Sequence, residues 1–161
     1  LDVDQRENQT LRLELDAQHL RPLLSRLDGF AHLNAVYSPD ALPDVTRYTL
    51  GGPTTIRAYR SGEVSGDRGG FLALGLRYSV YADSRWRAGL RSFVEGGAVW
   101  QSKAIAGVPN SQTLGSAGAG VRFLLSNRMN AELEWAKPLN SNVLALSNQD
   151  SRFLFSIGVS L

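Results

Sequence analysis

The chain of 161 residues has no cysteine, which excludes a disulfide framework and thiolate metal ligation. Lysine is nearly missing: only Lys103 and Lys137 occur, and the other cations are arginines, the side chain suited to fixed, forked pairing with carboxylates. The formal charge of +2 is too small to point to nucleic acid. Histidine is confined to His19 and His32, which have no metal-site spacing and read as structural. No run of 18 apolar residues exists, so no transmembrane helix is expected; a strand-built membrane crossing stays open, because its apolar residues fall at every second position. The polar start, LDVDQRENQT, is no signal peptide. A leader is therefore expected to have been removed, or the chain to be an internal piece of a longer one. Phosphate-loop order and the G-x-S-x-G elbow are both missing, and no cofactor or catalytic group is expected.

Helical periodicity is scarce and period-two alternation pervades the chain. Leu72, Leu74, Leu76, Tyr78 and Val80 oppose Phe71, Ala73, Gly75, Arg77, Ser79 and Tyr81; Phe153, Phe155, Ile157, Val159 and Leu161 oppose Arg152, Leu154, Ser156, Gly158 and Ser160. The same split near Leu11–Leu15, Arg26–Tyr37, Leu90–Trp100, Ser116–Leu125 and Asn130–Trp135 brings the total to seven strands, most of about ten residues, the length of a membrane strand. Pro22–Leu24, Asp83-Ser84-Arg85 and Ser126-Asn127-Arg128 read as tight turns, while Ser38–Gly69, Gln101–Gln112 and Asn140–Ser151 read as long loops. Short turns at one end and long loops at the other fit an outer-membrane barrel. Glu132 and Glu134 share a strand face and read as a solvated or salt-bridged pair rather than an acid–base couple. A soluble antiparallel sandwich or lipocalin-like barrel binding a small apolar ligand would alternate in the same way, so alternation alone leaves both open. A single-chain membrane barrel needs an even number of at least eight strands. Seven therefore imply the C-terminal part of a larger barrel whose other strands lie upstream.

The stretch "LGGPTTIRAYRSGEVSGDRGG", residues 50 to 70, carries six glycines, three arginines and two acids inside an unusually long connection. Leu50-Gly51-Gly52, Ile56-Arg57-Ala58-Tyr59, Gly62-Glu63, Gly66-Asp67-Arg68-Gly69 and Leu76-Arg77-Tyr78 follow one another, and Phe93-Val94-Glu95-Gly96-Gly97 comes on the next strand. This order closely resembles the signature loop and F-x-D-x-G strand of the two-partner-secretion outer-membrane transporters, the haemolysin activation/secretion family, and is similar to the wider superfamily of barrel-assembly insertases. Through "SAGAGVRF" and the last strand the resemblance spans most of the chain. Three positions depart from the pattern: Ala58 stands where glycine is frequent, Glu95 replaces aspartate, and Leu161 ends the chain where Phe or Trp is usual.

The resemblance implies an all-β fold: an antiparallel transmembrane β-barrel of sixteen strands, with residues 1–161 as its C-terminal portion and the 38–69 loop folded into the lumen. It implies that Arg57 meets Glu95 on the wall, with Tyr59, Phe93 and Gly97 as the other motif positions, and that Gly51, Gly52, Gly62, Gly66, Asp67 and Gly69 shape the loop. Positive φ is expected at Gly51, Gly52, Gly66 and Gly69. A purely local alternative pairs Arg57 with Glu63 or Asp67. The implied function is a pore in the outer membrane of a Gram-negative bacterium that exports an unfolded haemolysin- or adhesin-type exoprotein. Its implied partners are that exoprotein, outer-membrane lipid and upstream periplasmic substrate-capture domains. An insertase or a self-transporter barrel of the same superfamily shares the loop and is the alternative reading.

Overall fold

The computed structural model describes residues 11–103, 107, 109–126, 128–140 and 150–160. The alternating segments form one seven-stranded antiparallel sheet: β1 (Leu13–Leu24), β2 (Leu27–Tyr37), β5 (Arg68–Ala82), β6 (Trp86–Trp100), β7 (Ser111–Leu125), β8 (Met129–Pro138) and β9 (Arg152–Val159), neighbours in that order. Between β2 and β5 the long connection holds a 3-10 turn, Asp44–Thr46, and a two-stranded hairpin, β3 (Tyr48–Leu50) and β4 (Val64–Gly66). Among the described residues there is no α-helix, and β1 and β9 each pair on one side only, so this part of the chain is an open wall.

Each apolar set lies on one face, as the alternation requires. Leu72, Leu74, Leu76, Leu90, Val94, Leu133, Trp135, Phe153, Phe155 and Ile157 are all exposed there. An apolar face of this extent has no counterpart on a water-soluble monomer; it is the surface of a membrane strand. The opposite, polar face carries the core, formed where the loop residues Tyr48, Leu50, Ile56, Ala58, Tyr59 and Val64 pack on Phe71, Ala73, Phe93, Val99 and Leu114 of the wall.

The central strands β5, β6 and β7 have 15 residues each rather than about ten. The additional residues, Arg68-Gly69-Gly70 and Ser111–Gly115 among them, are mostly small or polar, Leu114 apart, and carry no alternation, yet the ladders run on through them. The first turn is Ser25-Arg26, not Pro22–Leu24; Pro22 and Leu24 remain in the ladder on either side of a register shift. A bulge absorbs the proline, which lacks the N–H a regular ladder position would use. Between β5 and β6 the turn forms where expected, because the Asp83 carboxylate accepts N–H bonds from Trp86 (2.6 Å) and Arg85 (2.7 Å) and the Tyr81 hydroxyl (2.7 Å). Those donors, the Trp86 N–H first, hold the Asp83 carboxyl below its ordinary value. The start of the chain, the 141–149 segment and the final Leu161, for which expectations were stated, lie outside the described residues.

Register sorts the polar face into rows. One row reads His32, Ala73, Glu95 and Ser116 across β2, β5, β6 and β7. The next towards the turns reads Phe30, Gly75, Phe93, Gly118 and Ala136. After it come Asp28, Arg77, Arg91, Gly120 and Glu134, then Ser79, Gly89, Arg122 and Glu132. In the second row the rings lie over the glycines: a Cβ on Gly75 would sit 2.5 Å from Phe30, and one on Gly118 would sit 2.4 Å from Phe93.

Candidate functional site

The loop reaches the polar face through a tight coil, Gly52 to Glu63. Its turns close by backbone bonds from Thr55 to Gly52, from Tyr59 to Ile56 and from Glu63 to Arg60. Gly51 and Gly52 enter the coil at φ of 105° and 106°, where a side chain is strained, and Gly62 leaves it at 69°. Gly66 and Gly69 do not adopt positive φ. They lie in strands, and the reason for glycine there is proximity: a Cβ on Gly69 would stand 2.5 Å from Tyr48, and one on Gly66 would stand 2.7 Å from the Trp100 carbonyl. Gly97 works in the same way, since a Cβ would meet Leu50 at 2.9 Å and the Gly70 carbonyl at 2.8 Å.

The coil delivers Arg57 to the middle of the polar face. Its backbone N–H donates to Glu95 Oε2 at 2.9 Å, and its Nη1 donates to Glu95 Oε1. Glu95 Oε2 also accepts the Ser116 hydroxyl at 2.9 Å, and the Glu95 side chain is fully buried. A carboxylate with three donors is a satisfied buried charge; stripped of them it would be costly. Arg57 Nε lies 2.9 Å from Glu134 Oε2 as an ion pair without an aligned hydrogen bond. The guanidinium rests on the Phe93 ring, 4.5 Å from its centroid. Glu134 in turn receives Arg91 Nη1 at 3.2 Å. The longer Glu95 side chain thus reaches both the backbone and the guanidinium of Arg57.

Tyr59, 1% exposed, donates its hydroxyl to the Gly115 carbonyl at 3.3 Å, and its own carbonyl accepts Arg152 Nη1 from β9. A second anchor lies at the base of the loop. Asp67 accepts the N–H groups of Ser102 (2.7 Å) and Leu42 (2.8 Å), and Arg47 Nε lies 3.5 Å away. Burial works to raise the Asp67 carboxyl, but those two N–H bonds and Arg47 outweigh it and hold the group below its ordinary value. Arg47 also donates to Gln101 Oε1 at 2.8 Å, and Gln101 donates to the Ser65 carbonyl at 2.8 Å, tying the loop to the end of β6.

Arg57 therefore pairs across the sheet rather than with Glu63 or Asp67. Sequence reasoning missed Ser116, Arg91, Arg152 and the part played by Glu134; the signal for them lies in the register between strands.

A continuous wall, apolar on one face and polar on the other, with a loop anchored on the polar side, defines a segment of a transmembrane β-barrel. Comparison with known proteins takes this to a family: residues 4–123 match "Haemolysin secretion/activation protein ShlB/FhaC/HecB", and the chain belongs to that family, one of transporters and not of enzymes. It is 31% identical over 75 residues to the outer membrane transporter CdiB of Escherichia coli O6:K15:H31 (strain 536 / UPEC), and equally to an Escherichia coli protein of the same description, covering 47% of this chain and 13% of each relative. The solved structure of CdiB from Escherichia coli matches with a TM-score of 0.81 over 94% of this chain and 28% of that one, at 22% identity, a likeness of fold. The chain thus spans less than a third of the length of these relatives.

Proposed function

We propose that residues 1–161 form the C-terminal part of the wall of an outer-membrane pore that passes an unfolded haemolysin- or adhesin-type exoprotein from periplasm to cell surface, and that the 38–69 loop is its resting plug. Upstream strands complete the barrel, and periplasmic domains before them capture the exoprotein. The observation that carries this reading is the docking of Arg57 on Glu95 and Glu134: a long loop is drawn onto the face a barrel turns inward and held there by charge. Such a contact is reversible, because water entering the lumen can solvate both partners when the loop leaves. In the full-length transporter, a cysteine at Ile56, a loop residue 0% exposed against the wall, should resist an impermeant maleimide at rest and react during export. Labelling at rest as fast as at the exposed Val45 would remove the plug; export at full rate with position 56 protected throughout would remove its movement.

A further inference from the structure

On the turn side of the Arg57 dock, the polar face holds more cations than its own acids meet. Arg77 stands directly opposite Arg91 in the β5–β6 register, a like-charge pairing that destabilises a sheet unless something lies between. Both guanidiniums converge on one ring: the Cζ atoms of Arg77 and Arg91 lie 4.9 and 4.6 Å from the Phe30 centroid. Arg122 stands on β7 one row nearer the turns, opposite Glu132. Arg91 is met by Glu132 at 3.5 Å and by Glu134 at 3.2 Å, and Glu134 is shared with Arg57. Among the described residues no ion pair joins Arg77 or Arg122 to a carboxylate, although Asp28 and Glu132 stand opposite them. Arg77 and Arg122 are exposed, and with Arg87, Arg91, Asp28 and Glu132 they line a cavity of about 180 Å³.

We propose that this cavity is a carboxylate-binding site whose ligand is an acidic side chain of an extended polypeptide lying along the polar face. Glu132 and the shared Glu134 are taken up by Arg91, and among the described residues no ion pair joins Arg77, Arg87 or Arg122 to a carboxylate, so charge balance calls for an anion. Guanidinium forks match the two oxygens of a carboxylate, and a carboxylate between Arg77 and Arg91 would relieve their repulsion. Inorganic phosphate offers similar oxygens. The extended polypeptide is favoured because the arginines are strung over three strands and two rows rather than closed around one centre. That the polypeptide is the exported chain rests on the transport reading; the site itself does not.

The test uses the full-length transporter in detergent micelles and fluorescein-labelled hexa-aspartate, read by anisotropy. Hexa-aspartate should bind and hexa-asparagine should not, with affinity falling as salt rises. Arg77→Gln/Arg122→Gln should weaken binding by at least about tenfold, as expected when charge-assisted bonds are lost. Arg60→Gln, at an exposed loop arginine, should leave it unchanged. Should the glutamine pair not fold, as judged by heat-modifiable gel mobility, Arg77→Lys/Arg122→Lys keeps the charge and loses the fork, and should weaken binding by a smaller factor. Unchanged binding in either pair overturns the site, and so does phosphate competing as well as the peptide at equal concentration. Export measured in the same strains judges the transport reading separately: a wild-type chain that binds hexa-aspartate but exports nothing removes that reading and leaves the site standing.

Discussion

Arg57 and Glu95 are coupled through two hydrogen bonds, one from the backbone, so removing the arginine side chain takes away only part of the contact. A double-mutant cycle of Arg57→Ala and Glu95→Ala in the full-length transporter should give about 1–3 kcal/mol of coupling in loop docking, the range for hydrogen bonds to charged groups. Strict additivity would mean the two side chains act separately. Because Glu134 also faces Arg57, Glu134→Gln should loosen the loop less than Glu95→Ala, which removes the acceptor of both Arg57 donors. Asp67 makes the base anchor sensitive to acid. Its carboxyl is held below the ordinary 3.8 in the folded chain, so its contribution is complete above that value and is lost as pH falls through the lower folded value. Asp67→Asn should remove that acid-sensitive increment while leaving stability at neutral pH lower throughout; a denaturation series from pH 5 to pH 2 would show it.

At the scale of the strand, what alternation encodes is a face, and faces were legible: the apolar residues assigned from the sequence and lying in the described residues share one side of the sheet, where the large ones are mostly exposed and the rest, Leu27, Val121 and Leu125 among them, half-buried. Period two says nothing of which residue stands opposite which. For that reason Glu134, Ser116 and Arg91 could be placed on the polar face but not at the dock, which exists only because the ladders set Glu95 opposite Ser116 and Gly120 opposite Glu134. The motif brought Arg57 and Glu95 together on paper, since it encodes a long-range contact that no local pattern carries. Strand length was underestimated where Gly69-Gly70 and Ser111–Gly115 continue a ladder without alternating, and the β3–β4 hairpin, three residues a side, is too short to show a period. Leu74→Arg, at the middle of an exposed apolar face, should cost about 2–4 kcal/mol in a lipid environment, and Ser156→Arg on the polar face should cost less. Refolding titrations in vesicles would give the order, and the reverse order would refute the assigned faces. Gly97→Val should lift the loop and also strain the β5–β6 ladder, because its side chain would meet both Leu50 and the Gly70 carbonyl.

For the whole molecule, the loop is an insertion the sheet does not need: β2 and β5 pair directly over ten positions, and the wall's contacts are between neighbouring strands. Replacing residues 40–66 of the full-length protein with a short Gly/Ser linker should therefore leave a folded barrel with a larger single-channel conductance in planar bilayers. An unchanged conductance would mean the loop does not obstruct the passage. The row in which Phe30 lies over Gly75 and Phe93 over Gly118 then acquires a further meaning. Rings set close against bare backbone keep this stretch of the wall shallow; with the loop withdrawn Phe93 loses the Arg57 guanidinium, while Phe30 stays under those of Arg77 and Arg91. An extended chain lying along this wall would meet a shallow aromatic step edged by fixed cations there, rather than a row of projecting side chains.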